Sequence, residues 1–173
     1  MRKITFGVAN SLDNYIARSD GGVDWLLWTK EVSSITSKFW KTIDTVLWGR
    51  KTYEVAVRAG APSFGNVKNY VFSRHMKKKA AKGFELISRD AVGFVRRLKA
   101  EPGKGICLMG GGEFGRSLFE SDLIDEVVLN IHPVLLGSGI PLFHRMQQID
   151  LRPIECRPLK NGCVLASYRV EHR

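Results

Sequence analysis

The chain has 173 residues, 44% of them hydrophobic and 25% charged, with a formal net charge of +10. That profile suits one soluble domain over residues 1–173 with a core of its own, and no apolar run approaches the roughly 20 residues a membrane-spanning helix needs. The excess positive charge speaks of anionic partners: nucleic acid, an anionic surface or a phosphorylated small molecule.

The N-terminus, Met1-Arg2-Lys3-Ile4, runs straight into an alternating apolar stretch without the apolar core of a leader peptide, so the cytoplasm is the expected compartment. Residues 3–9 read as a first strand. A polar stretch follows, in which Asp13 beside Asn14 is either a turn former or a substrate contact at the pocket. Asp24, after Gly21-Gly22, reads as a helix cap or a second polar group near the pocket. Trp25 and Trp28 could stack on a flat heterocycle or pack in the core. Residues 34–42 have helical spacing in Ile35, Phe39 and Ile43. Thr45 to Trp48 is a short buried-type strand, followed by a helix from about Thr52 to Arg58. Tyr70 to Phe72 and Phe84 to Ile87 are strands, and Asp90 caps a helix over Val92 to Ala100. Between those two strands lies the densest basic stretch, Arg74 to Lys79. Gly105 to Met109 is a strand, and Phe114 to Glu120 a helix.

The pattern then changes. Asp125 to Leu136 is β-rich, and strands near Leu151–Leu159 and Val164–Glu171 are joined by Lys160-Asn161-Gly162, a strong hairpin signal. Alternating strands and helices with an antiparallel end predict an α/β fold: a mixed, mostly parallel sheet, helices on both faces and an antiparallel C-terminal edge. The three cysteines, 107, 156 and 163, do not form a disulfide framework. No metal-ligand spacing occurs, and Cys107 in an apolar run reads as a buried, inert thiol.

Ligands of open α/β sheets bind at the carboxyl ends of parallel strands. Three strands here end in residues suited to phosphate. Gly49-Arg50-Lys51-Thr52 offers a tight turn, a forked cation, a point charge and a hydroxyl near a helix start. Ser73-Arg74 offers a hydroxyl and a guanidinium. Gly110-Gly111-Gly112 stands between an apolar strand and a helix, where three glycines are hard to explain by propensity. Each could be an ordinary turn; together they describe a site for an elongated, multiply phosphorylated ligand, and two cationic ends suit NADPH better than NADH.

These motifs in this order, with Ala9-Asn10-Ser11-Leu12-Asp13 before them and His132-Pro133-Val134-Leu135-Leu136-Gly137-Ser138-Gly139 after, resemble the dihydrofolate reductase superfamily. The tail is most similar to the reductase domain of the bifunctional riboflavin-biosynthesis deaminase-reductase and to stand-alone proteins built like it. The resemblance implies a dihydrofolate-reductase-like sheet of about eight strands, hydride transfer from NADPH and often a homodimer. It implies that Gly49, Arg50, Lys51 and Thr52 hold cofactor phosphates, with Arg50 near the 2′-phosphate. Ser73 and Arg74 would flank the adenosine end. Gly111, Gly112, Glu113 and Phe114 would wrap the pyrophosphate, and Ala9 and Ile16 would meet the nicotinamide.

The substrate expected is a small pyrimidine- or pteridine-like heterocycle, with a phosphorylated ribosylaminopyrimidine suiting a basic pocket. Asp13 is the candidate catalytic group; Asp24 and Trp28 are candidate substrate contacts. The helix before Gly49 carries Ser33 and Ser34 where folate reductases carry an acid, which weakens the folate alternative. The zinc signature of the deaminase is missing, so that activity is expected on a separate protein. A nucleic-acid-binding role ranks last, because no exposed-aromatic or helix-turn-helix pattern accompanies the charge.

Overall fold

The computed structural model describes residues 1–60, 67–77, 79–110, 112–143 and 145–172. In chain order its elements are β1 (Ile4–Ser11), β2 (Tyr15–Ala17), α1 (Lys30–Lys41), β3 (Ile43–Gly49), α2 (Arg50–Arg58), β4 (Lys68–Phe72), β5 (Glu85–Ile87), α3 (Ala91–Ala100), β6 (Gly105–Met109), α4 (Glu113–Glu120), β7 (Glu126–His132), β8 (Ile140–Pro141), β9 (Leu151–Pro158) and β10 (Val164–Val170). Eight strands form one sheet in the order β5-β4-β3-β6-β1-β7-β10-β9. The six from β5 to β7 are parallel, and β10 runs antiparallel to both β7 and β9. The expected mixed sheet with an antiparallel C-terminal edge is therefore present.

The chain steps outward from β1 to β3, β4 and β5, then returns to β6 and β7. With right-handed crossovers, the first helices must lie on one face and the last on the other. The packing agrees. Phe39 and Trp40 of α1, with Tyr53 of α2, close over Val46, Trp48, Val71 and Cys107. On the other face, Val95 and Leu98 of α3, with Leu118 and Phe119 of α4, close over Ile4, Phe6, Ile106 and Leu108. Cys107 is buried, and burial pushes its thiol up to about 12, as an inert core thiol requires.

Three local readings are corrected. Helix α1 begins at Lys30, earlier than residue 34, because Thr29 Oγ1 accepts the Val32 amide (3.3 Å) and opens it. Asp24 caps no helix; its carboxylate takes both arms of the Arg18 guanidinium (2.7 and 2.9 Å). Helix α2 starts at Arg50, directly off β3 and two residues before Thr52, with Gly49 as its cap residue. Asp90 does cap α3, accepting from the Gly93 amide at 3.1 Å. A second, two-stranded sheet of β2 and β8 was not anticipated.

Candidate functional site

Because the six parallel strands point the same way, their carboxyl ends line one rim of the sheet. Register fixes the neighbours: Gly49 pairs with Phe72, Trp48 with Met109, and Ser11 with His132. The turn after β3 and the turn after β6 then meet. Gly110 has φ +96°, and a Cβ built on it would overlap the Thr52 hydroxyl and stand 3.0 Å from Thr52 Cβ. A Cβ on Gly115 would stand 3.1 Å from the Gly110 carbonyl oxygen, so α4 also approaches this turn closely. The starts of α2 and α4, with their free N–H groups, thus flank the ends of β3 and β6.

The predicted phosphate-facing residues fall along this rim, with differing freedom. Arg50 Nη1 donates to Glu54 Oε1 at 2.8 Å, one turn along α2. Lys51 and Arg74 are exposed. Ser73 Oγ accepts from the His75 (3.3 Å) and Met76 (3.0 Å) amides, shaping the turn that begins the basic stretch. The Tyr53 hydroxyl accepts from the Ala81 amide (2.9 Å) and ties the end of that stretch to α2. Gly112 and Glu113 are exposed at the start of α4, and nothing lies within 4 Å of a Cβ built on Gly112. The Phe114 ring stacks on Phe72 at 4.2 Å, so one of its faces is taken up by packing. Gly111 lies outside the described residues.

Beyond β1 a turn is clamped from across the chain. Ser11 Oγ donates to Asp13 Oδ1 (2.6 Å) and accepts from the Tyr15 amide (2.9 Å). Asp13 also accepts from the backbone amides of Leu136 (3.1 Å) and Gly137 (2.7 Å). The Ser11 hydroxyl, helped by these amides, holds the Asp13 carboxyl below the usual aspartate range. Asp13 is therefore ionised at neutral pH and held as an acceptor by these hydrogen bonds, with no proton to give. Leu142 N donates to the Asn14 carbonyl (2.9 Å), and a Cβ on Gly139 would overlap the Ala17 carbonyl oxygen. Segment 134–142 thus straps down the loop that carries Ile16, while Ala9 sits on β1 opposite Asn130.

The α1 face of β1 and β7 is another place with room. Alternation sends Ile4, Phe6 and Val8 into the core under α3 and α4 and leaves Thr5, Gly7 and Ala9 facing α1. A Cβ on Gly7 would meet nothing within 4 Å, so space lies above the strand. Alongside it, a cavity of about 40 Å³ is lined by Val32, Ile35, Thr36, Asn130, Leu159 and Leu165. Thr36 Oγ1 donates to the Val32 carbonyl (2.9 Å), which uses its proton within α1. Asn130 Oδ1 is buried with no hydrogen-bond partner among the described residues, and so is Trp25 Nε1. The Trp25 indole stands edge-on to buried His132, ring centroids 5.3 Å apart.

Of the residues expected near substrate, Asp24 is engaged by Arg18, and Trp28 is 68% exposed with its indole N–H on Ser33 Oγ (3.2 Å). Of Trp25 and Trp28, it is Trp25 that reaches the interior. Asn130 was not anticipated; its signal was one polar side chain interrupting Val127-Val128-Leu129 and Ile131 within a strand.

Comparison with known proteins agrees with this architecture. The model of the RibD C-terminal domain matches residues 2–165. The uncharacterized protein YwjB of Bacillus subtilis (strain 168) is 39% identical over 147 residues, which are 84% of each chain. A crystal structure from Shewanella sp. PV-4, of a protein named for riboflavin biosynthesis, superposes with a TM-score of 0.84 at 24% identity, covering 99% of this chain and 100% of that one. Dihydrofolate reductase from Enterococcus faecalis, in complex with NADP(H), superposes with a TM-score of 0.71 at 15% identity, covering 98% and 97%. The last two likenesses speak for the fold, which is dihydrofolate-reductase-like. With the family match spanning nearly its whole length, the chain belongs to the RibD C-terminal domain family.

Proposed function

We propose that this protein is an NADPH-dependent reductase that reduces a small pyrimidine- or pteridine-like heterocycle, most like 5-amino-6-(5-phosphoribosylamino)uracil reductase. The observation that carries the reading is the contact of Gly110 with Thr52. It sets two helix starts and two turns side by side, the arrangement an elongated pyrophosphate ligand needs.

NADPH, when bound, supplies the hydride. Gly49, Lys51, Thr52, Gly110 and Gly112 would hold its phosphates through backbone amides, a hydroxyl and charge; Arg50 and Arg74 would take the 2′-phosphate end. The strap from residue 134 to 142 would keep Ile16 and Ala9 against the nicotinamide, with Asp13 as a positioning residue. The heterocycle would lie over Gly7 and Ala9 beneath α1, aligned for transfer.

The test is titration of the purified protein with NADPH and NADH by fluorescence and calorimetry. NADPH is expected to bind in preference, and Arg50→Gln to erase most of the preference. No binding of either nucleotide would end the reading. A homodimer is part of the proposal: β9 is an edge strand with nearly every residue exposed, Leu151 and Ile154 among them. Light scattering on the eluting protein checks it.

A further inference from the structure

The cavity under α1 is bordered by a buried polar atom that none of the described residues engages. Asn130 sits within β7, paired with Ala9 on one side and Leu165 on the other. Its neighbours in the cavity are Val32, Ile35, Leu159 and Leu165. Its Oδ1 is buried and has no hydrogen-bond partner among the described residues. A carbonyl left so in an apolar wall destabilises the protein unless something completes it. A side-chain amide presents an acceptor and an NH2 donor next to each other in one plane. Its best complement is the mirror arrangement: a ring N–H beside a ring C=O. That is the lactam edge of an oxo-pyrimidine, and paired bonds of this kind are how asparagine reads a base edge.

The alternative edge chemistry is different. A protonated aminopyrimidine presents two donors side by side with positive charge, and its complement is a carboxylate. Among the described residues that line the cavity there is no carboxylate, and the one hydroxyl, that of Thr36, donates to its own helix. An amide facing two donors would satisfy one and oppose the other.

We infer that Asn130 is a specificity-determining residue that selects a neutral heterocycle through its lactam edge. The inference rests on the reductase reading for the location and class of the substrate and adds the residue that reads its edge. Trp25 Nε1, also buried and without a partner among the described residues, is a further donor beside His132 of β7, and it suits a further ring carbonyl.

The experiment uses two probes of similar size: 5,6-diaminouracil, which carries lactam edges, and 2,4-diaminopyrimidine, which takes up a proton and presents paired donors. Binding of each is measured by calorimetry with and without saturating NADPH, on the wild type, Asn130→Leu and Asn130→Asp. Wild type is expected to prefer the uracil. Asn130→Leu keeps the volume but strands the ligand's N–H, and should weaken uracil binding roughly ten- to a hundredfold. Asn130→Asp should shift the preference toward the diaminopyrimidine, and its folding is checked by circular dichroism together with that of the leucine variant. Equal binding of the uracil by wild type and Asn130→Leu overturns the inference. So does a wild type that prefers the diaminopyrimidine, or one that binds neither probe. NADPH affinity is recorded on the same samples: cofactor binding without lactam selectivity sinks this inference alone, whereas loss of cofactor binding sinks the reductase reading.

Discussion

Replacing Gly110 with alanine tests the contact on which the site depends. Two costs are separable. At φ +96° an L-residue is strained, by about 1–3 kcal/mol for a sparsely populated backbone conformation. The new Cβ also overlaps the Thr52 hydroxyl, and forcing an extra carbon into a packed contact typically costs about 1–3 kcal/mol. Gly110→Ala should therefore lose roughly 2–6 kcal/mol, a large share of the about 5–15 kcal/mol that holds a domain together. Urea unfolding measures it, and the melting temperature should fall by about 2–4 °C per kcal/mol for a chain of this size.

The double variant with Thr52→Ala divides the loss. Removing the hydroxyl should return part of the packing cost and leave the backbone cost, giving a coupling of about 0.5–3 kcal/mol between the two positions. NADPH affinity should drop in Gly110→Ala because the turn after β6 must move off α2. The reasoning is refuted if Gly110→Ala unfolds within about 0.5 kcal/mol of wild type, the range of an ordinary surface substitution. Strict additivity with Thr52→Ala would likewise show that the two turns do not touch.

Gly139→Ala should release the β2–β8 ladder, because its Cβ would overlap the Ala17 carbonyl oxygen; faster hydrogen exchange at Ile16 and Ala17 reads this directly. Ellman's reagent should modify one thiol quickly in the native protein, Cys156, and all three in guanidinium, since Cys107 and Cys163 are buried. Asp13 has a folded pKa below its ordinary value of 3.8, so its contribution is present above that value and is lost as pH falls through the folded pKa. Asp13→Asn should accordingly be less stable than wild type at neutral pH, with the gap closing in strong acid; a gap that widens on acidification would contradict the assignment.

The parts of this protein that were legible in its sequence are those set by local chemistry. Glycines and cations at strand ends, Asp90 ahead of an apolar helix and Asn161-Gly162 between two strands each encode a conformation within a few residues. The parts that were not legible depend on distant partners. β2 and β8 are too short to show a period, and they exist because Asp13 and Asn14 meet residues 136 to 142. Asp24 looked like a cap until Arg18 claimed it and Thr29 opened α1 instead. Asn130 could not be distinguished from a tolerated strand polar residue before the fold set Val32 and Leu159 around it.

Arg50 joins these two levels and yields the last prediction. Its place at the rim was readable, but in the folded chain its guanidinium rests on Glu54 across one helical turn, with both side chains more than a third exposed. Such pairs contribute only about 0.3–0.5 kcal/mol. A phosphate monoester carries more charge and three acceptor oxygens, so it can draw Arg50 away from Glu54 at small cost. Glu54 then remains as a negative charge beside the incoming phosphate. Glu54→Gln should therefore tighten NADPH binding by about twofold, the equivalent of the lost pair, and leave NADH binding unchanged, since NADH brings no 2′-phosphate. The two titrations run side by side on one protein preparation. Weaker NADPH binding in Glu54→Gln would mean that the pair holds Arg50 in its working position, and an equal gain with both nucleotides would mean that Arg50 does not meet the 2′-phosphate.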